Sequence, residues 1–187
     1  MPKLLLITAS ADGIRRARRS RFLNFQQITM PYLAAMVPAG WQVSHVDEEA
    51  EDIDWRDQPE VVGITFHTPS AYHAYDLAAR FRARGTCVAL GGPHVTLLPE
   101  EAGQHADVIF VGEAEGLWEE FLNGFVMGTF RREYRQAGPT SLEGVPMARK
   151  DLYHRHDFMS GVLFATRGCP NRCDFCSIVS MLSLIHI

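Results

Sequence analysis

Val61-Val62-Gly63-Ile64-Thr65-Phe66-His67-Thr68-Pro69 decides the reading of this chain. Its first six residues are an apolar, β-branched run of strand length. Thr68 then offers a helix N-cap and Pro69 the first helical position. The helix that follows puts Ala74, Leu77, Ala78 and Phe81 on one face at helical spacing. Gly85 suits the position just past its end, where a left-handed backbone is wanted. Strand, short loop and amphipathic helix make one βα unit.

The same unit recurs on both sides. Upstream, residues 3–8 form a short apolar strand that runs into Ala9-Ser10-Ala11-Asp12-Gly13. A helix over 27–37, with Pro31 near its first turn, stops at Pro38-Ala39-Gly40, and 41–47 reads as the second strand. Residues 48–60 are acidic and read as surface loop or short helix. Downstream come a fourth strand at Cys87-Val88-Ala89-Leu90, a short helix over 99–106 and a fifth strand over 107–111. Leu117, Trp118, Phe121, Leu122 and Phe125 mark a last amphipathic helix. Cys87 reads as a small buried apolar residue.

Strands alternating with helices predict an α/β fold: a doubly wound, parallel, five-stranded sheet of flavodoxin-like order 2-1-3-4-5. Ligands of such sheets sit beyond the carboxyl ends of the strands, at the switch between strands 1 and 3. The loops after Thr8, Phe66, Leu90 and Val111 would build that rim. They carry Thr65, His67 and Thr68, then Gly91, Gly92, Pro93, His94 and Thr96, then Gly112 and Glu113. Paired glycines let backbone approach a flat or bulky ligand, and hydroxyls and imidazoles supply hydrogen bonds. Taken singly, each glycine is also consistent with plain turn chemistry and each histidine with a satisfied polar residue. No G-x-G-x-x-G follows the first strand, so the dinucleotide-binding fingerprint is absent.

The 187-residue chain is 47% hydrophobic and 21% charged, with a net charge of −4. That balance belongs to a globular domain with a real core. It gives no global argument for nucleic acid or an anionic membrane. Arg15, Arg16, Arg18, Arg19 and Arg21 form a local basic run, read as a solvated loop face with a phosphate contact as the minority reading. No run approaches the ~20 apolar residues of a membrane span. Met1-Pro2-Lys3 leads straight into a four-residue apolar run, too short for a signal peptide, so a cytoplasmic protein is expected.

Past a Gly/Pro-bearing linker the chain changes character. Gly161-Val162-Leu163-Phe164-Ala165-Thr166 is strand-like, and it feeds Arg167-Gly168-Cys169-Pro170-Asn171-Arg172-Cys173-Asp174-Phe175-Cys176. Three of the chain's four cysteines lie there, spaced C-x3-C-x2-C. Clustered cysteines in a reducing compartment point to metal rather than disulfides. Three local thiolates suit an iron–sulfur cluster with one iron left open. The alternative, a structural zinc knuckle, needs a fourth ligand. Cys87 lies in another strand and His186 in the tail, so none is evident.

Cys169, Cys173 and Cys176, preceded by a strand and Thr166-Arg167-Gly168, resemble the cluster loop of radical S-adenosylmethionine (SAM) enzymes. The sheet, with Gly91-Gly92-Pro93-His94-Val95-Thr96 and Gly112-Glu113-Ala114-Glu115, resembles the cobalamin-binding domain that precedes the radical SAM core in one large subfamily. The segment Pro146 to Leu152 is similar to that subfamily's connector. The resemblance implies a cobalamin-binding Rossmann-like domain over 1–137, a linker over 138–158, and the first strand and cluster loop of a truncated radical SAM partial barrel over 159–187. It further implies cobalamin at the rim residues named above and a [4Fe-4S] cluster on Cys169, Cys173 and Cys176, with SAM at the open iron. An electron donor such as flavodoxin or ferredoxin would be the partner. The activity implied is that of a methyltransferase or a cyclase, with a stand-alone cobalamin-binding module as the alternative. No D-x-H-x-x-G occurs, so cobalamin would bind without a histidine on cobalt; His67 and His73 are the histidines nearest in sequence to that role. Residues 183–187 do not resemble the family, and the fragment by itself is expected to be catalytically incompetent.

Overall fold

The computed structural model describes residues 1–11, 13, 27–138, 143–153, 166–171, 173–181 and 185–186. The arginine run at 15–21 and all but Thr166 of the strand expected over 161–166 lie outside them.

Five strands read from the sequence lie in one parallel sheet: β1 (Lys3–Thr8), β2 (Gln42–Asp47) at an edge, β3 (Val61–Thr65), β4 (Cys87–Gly91) and β5 (Val108–Val111). The doubly wound order is as expected, with β1 between β2 and β3. The sheet is one strand wider than the expected five. β6 (Glu133–Arg135) adds to the outer edge of β5, also parallel. Only its central Tyr134 is buried, so it carries no apolar run by which to be read.

Side-chain alternation divides the strands between two cores. Leu5, Ile7, Val62, Ile64, Val88, Leu90, Ile109 and Val111 face one side. There they meet Ala74, Leu77, Ala78 and Phe81, the helical face read from the sequence. Leu4, Leu6, Val61, Ala89, Val108 and Phe110 face the other, against Met30, Ala34, Trp118, Phe121, Leu122 and Tyr134. Fully burying each such side chain is worth about 1.5–3 kcal/mol, which is what holds a sheet buried on both faces.

The helices are α1 (Thr29–Ala35), α2 (Ala71–Arg82), α3 (Pro93–Leu97), α4 (Pro99–Ala102), α5 (Leu117–Met127) and α6 (Ile178–Met181). Two local expectations are corrected. Thr68 does not cap α2: residues Thr68–Ser70 form a 3-10 turn ahead of it, without a side-chain cap bond. Residues 93–97, expected as loop, form α3 immediately after the glycine pair. Gly63 has a packing role, since a Cβ there would lie 3.1 Å from the Trp118 indole and 3.0 Å from Leu6.

The connector straps back across the sheet. The Arg149 amide donates to Pro31 O at 3.0 Å. His45 Nδ1 sits 3.3 Å from Leu152 O. Farther on, β7 (Thr166–Arg167) pairs antiparallel with β8 (Ile185–His186).

Candidate functional site at the carboxyl edge of the sheet

Parallel strands end together, so the loops after β1, β3, β4 and β5 share one edge. At the switch point the β1 and β3 loops are tied directly. Ala9 N–H donates to Thr65 O at 3.0 Å, and Ala11 N–H to Ser70 Oγ at 3.2 Å. Glu48 reaches in from the end of β2: its Oε2 accepts the Ser10 amide at 3.0 Å and lies 2.7 Å from His73 Nε2. The Ser10 hydroxyl is buried and has no hydrogen-bond partner among the described residues. A buried hydroxyl without a partner is rare, and a ligand bearing amide or hydroxyl groups would satisfy it.

The β4 loop is pressed onto β3. Gly92 has φ +100°, and a Cβ there would lie 2.5 Å from Thr65 Oγ1. That allows Pro93 to open α3 at once, with His94 turned inward. His94 is 3% exposed, its Nδ1 3.1 Å from Thr68 Oγ1 and its Nε2 3.1 Å from the Tyr75 hydroxyl. Thr96 Oγ1 accepts the Gly112 amide at 3.1 Å, joining the β4 and β5 loops. Beyond Gly112, the Glu113 amide donates to Gln136 Oε1 at 2.8 Å and Gln136 Nε2 donates to Glu113 Oε2 at 3.0 Å.

The rim residues named from the sequence therefore come together in pairs: Thr65 with Gly92, Thr68 with His94, Thr96 with Gly112. They differ in exposure. His67 and Thr68 are exposed, Thr65, Gly91, Gly92, Pro93, Thr96 and Gly112 half-buried, His94 and Glu113 buried. Ser10, Glu48 and Gln136 also build the edge, and nothing in their local sequence marks them.

The cysteine segment is anchored on the same edge. Arg167 Nη1 donates to Glu115 Oε1 and lies 3.5 Å from Glu113 Oε1. Its guanidinium stands 5.0 Å above the Tyr32 ring. Burial, and Glu115 beside it, push the Tyr32 hydroxyl up to about 12. On the far side of the cysteines, α6 packs against α3. Between these anchors Cys169 and Cys176 are half-buried and Cys173 is exposed. The Cys176 amide closes a turn onto Cys173 O at 3.0 Å. The three thiols have the donor chemistry of a cluster ligand set. Among the described residues, however, no group of three or more His, Cys, Asp or Glu stands close enough together to hold a metal ion. No helix among those residues is long and apolar enough to cross a membrane.

A doubly wound parallel sheet with a built edge at its switch point defines a ligand-binding α/β domain. Residues 18–122 match the family model of the B12 binding domain, and the chain belongs to that family. Curated relatives are named as methyltransferases. The chain is 36% identical over 152 residues to bacteriochlorophyllide d C-8(2)-methyltransferase of Chlorobaculum tepidum, covering 77% of this chain and 34% of that protein. It is 29% identical over 173 residues to the C-12(1)-methyltransferase of the same organism, covering 87% and 38%. The hopanoid C-2 methylase of Rhodopseudomonas palustris is 27% identical over 156 residues, covering 78% and 29%. The chain thus spans about a third of the length of the curated relatives it matches.

Proposed function

We propose that this chain is part of a cobalamin-dependent radical SAM methyltransferase, with a corrinoid at the carboxyl edge of the sheet and a [4Fe-4S] cluster and SAM at Cys169, Cys173 and Cys176. The observation that carries the reading is the anchoring of the cysteine segment on both sides, by Arg167 and by α6, to the loops of the B12-binding fold. It brings the two candidate cofactor regions to one edge. The methyltransferase names of the relatives support the reaction class.

When bound, these cofactors would supply one-electron cleavage of SAM and methyl transfer. The chain's own residues hold and orient. Thr65, Gly91, Gly92, Pro93 and Thr96 would present backbone and hydroxyls to the corrinoid, with His67, Thr68 and Gly112 at the margins. The unpartnered Ser10 hydroxyl would take a peripheral amide. His94 acts behind them, holding the Thr68 turn from below. Glu113, tied to Gln136, would shape the edge rather than touch the ring. With no D-x-H-x-x-G present, these residues offer the corrinoid a seat without a histidine from that motif.

The test is anaerobic reconstitution of the chain with cobalamin, and separately with iron and sulfide, followed by visible absorbance after desalting. The reading expects a retained corrinoid band and a broad iron–sulfur shoulder. Failure to retain the corrinoid refutes it. A corrinoid band without the shoulder favours a second reading, a cobalamin-binding module without catalysis, to which the unconverged thiols lend support.

A further inference from the structure

We infer that Arg167 is a positioning residue: it registers the cysteine segment over the carboxyl edge of the sheet by inserting between Glu113, Glu115 and Tyr32. Its significance for chemistry rests on the cluster reading above; the clamp itself rests on geometry.

Three charges are withdrawn from water here. The Arg167 side chain is 15% exposed, Glu113 2% and Glu115 7%. Ions so buried persist only when paired and hydrogen-bonded. Two acids lie against one cation, so removing the cation leaves two buried carboxylates facing each other. Each partner is held from behind. Gln136 fixes Glu113 from the β6 edge, and the Tyr32 ring underlies the guanidinium from α1. Arginine suits the place because its planar fork can serve two carboxylates and still stack on a ring. A lysine would offer a point charge to one of them.

The clamp also lies in the right part of the chain. Only Gly168, with φ +76°, separates Arg167 from Cys169. Two residues of chain reach at most about 7 Å, so fixing Arg167 fixes Cys169 close to the β5 loop. The beneficiary is the segment that carries the thiols.

The test compares the wild-type chain with Arg167→Ala, Arg167→Lys and Glu115→Gln, by amide hydrogen exchange and by electron paramagnetic resonance after anaerobic reconstitution with iron and sulfide. Loss of a buried ion pair should speed exchange over 168–177 in Arg167→Ala at least ~10-fold, with the β1–β5 amides unchanged. Arg167→Lys should fall between, and Glu115→Gln should loosen the same residues. The resonance of the reduced cluster should shift on adding SAM in the wild type and shift less in Arg167→Ala. Unchanged exchange over 168–177, or equal acceleration throughout the sheet, overturns the inference. A wild-type chain that takes up no iron refutes the cluster reading alone, and the exchange data then decide the clamp.

Discussion

The Tyr75 hydroxyl lies 3.1 Å from His94 Nε2 while donating its own proton to Glu101 Oε1 at 3.0 Å. With the phenol proton committed to Glu101, Nε2 carries a proton toward the Tyr75 oxygen, with Glu101 Oε1 3.4 Å away. Nδ1 lies 3.1 Å from Thr68 Oγ1. A residue read from the sequence as a direct ligand contact is thus an internal strut between α2, α3 and the turn after β3. His94→Ala should cost about 2–4 kcal/mol in urea unfolding, from the cavity and the stranded hydroxyls. Nitrogen-15 shifts of the wild-type ring should report a protonated Nε2. A cost below ~0.5 kcal/mol, the level of an ordinary surface change, would sink the strut.

Gly92 holds a backbone that L side chains rarely adopt, and a Cβ there would meet Thr65 Oγ1 at 2.5 Å and the Phe66 main chain at 3.1 Å. Gly92→Ala should lose about 2–3 kcal/mol, from the left-handed backbone and a clash with main chain that cannot move aside. Because the strain falls at the edge, corrinoid retention should fall more steeply than stability. Equilibrium unfolding and a desalting assay on the same variant separate the two. Equal retention with wild type would remove the β4 loop from the proposed site.

Burial and, less strongly, Asp107 push the Cys87 thiol up to about 12. Thiolates, not thiols, react with maleimide, so at pH 8 Cys87 should label roughly 10³-fold more slowly than a free cysteine. Mass spectrometry of the labelled chain should find Cys173 modified early and Cys87 intact. The same shift predicts alkaline weakening. The folded state keeps a proton that the unfolded thiol releases near 9.0. Stability is therefore fully present below that pH and is lost as pH rises toward about 12, with Tyr32 acting in the same direction. A urea midpoint that rises between pH 8 and pH 11 would contradict both.

Replacing Cys169, Cys173 or Cys176 singly by serine should abolish the iron–sulfur shoulder and leave corrinoid retention unchanged. The two cofactors would draw on separate side chains of one edge. Retained iron and sulfide in all three variants would rule out these thiols as the ligand set.

Much of the architecture was legible because it follows from periodicity. Five apolar runs, each followed by a loop and most by an amphipathic stretch, leave few alternatives to a doubly wound sheet. The sixth strand was not legible: Glu133-Tyr134-Arg135 buries one residue of three, and its partner is the far edge of β5. Thr68 looked like a cap by position, yet its hydroxyl engages His94, 26 residues away. Local propensity lost there to a tertiary partner that local sequence cannot display. Gln136 and Glu48 escaped notice for the same reason, since polar residues after strands are common and only their partners make them part of the edge.

Sequence by itself determined the first five strands, the edge where loops gather and the spacing of three thiols, because hydrophobic period and ligand spacing are local. Which rim residues are exposed and which are buried was decided only by the tertiary structure. Burial turned His94 inward and bound Glu113 to Gln136. The meeting of Arg167 with Glu113 and Glu115, across more than fifty residues, likewise exists only once the chain has folded. An ion pair gains strength from exclusion of water, and that is a property of the packed edge rather than of any stretch within it.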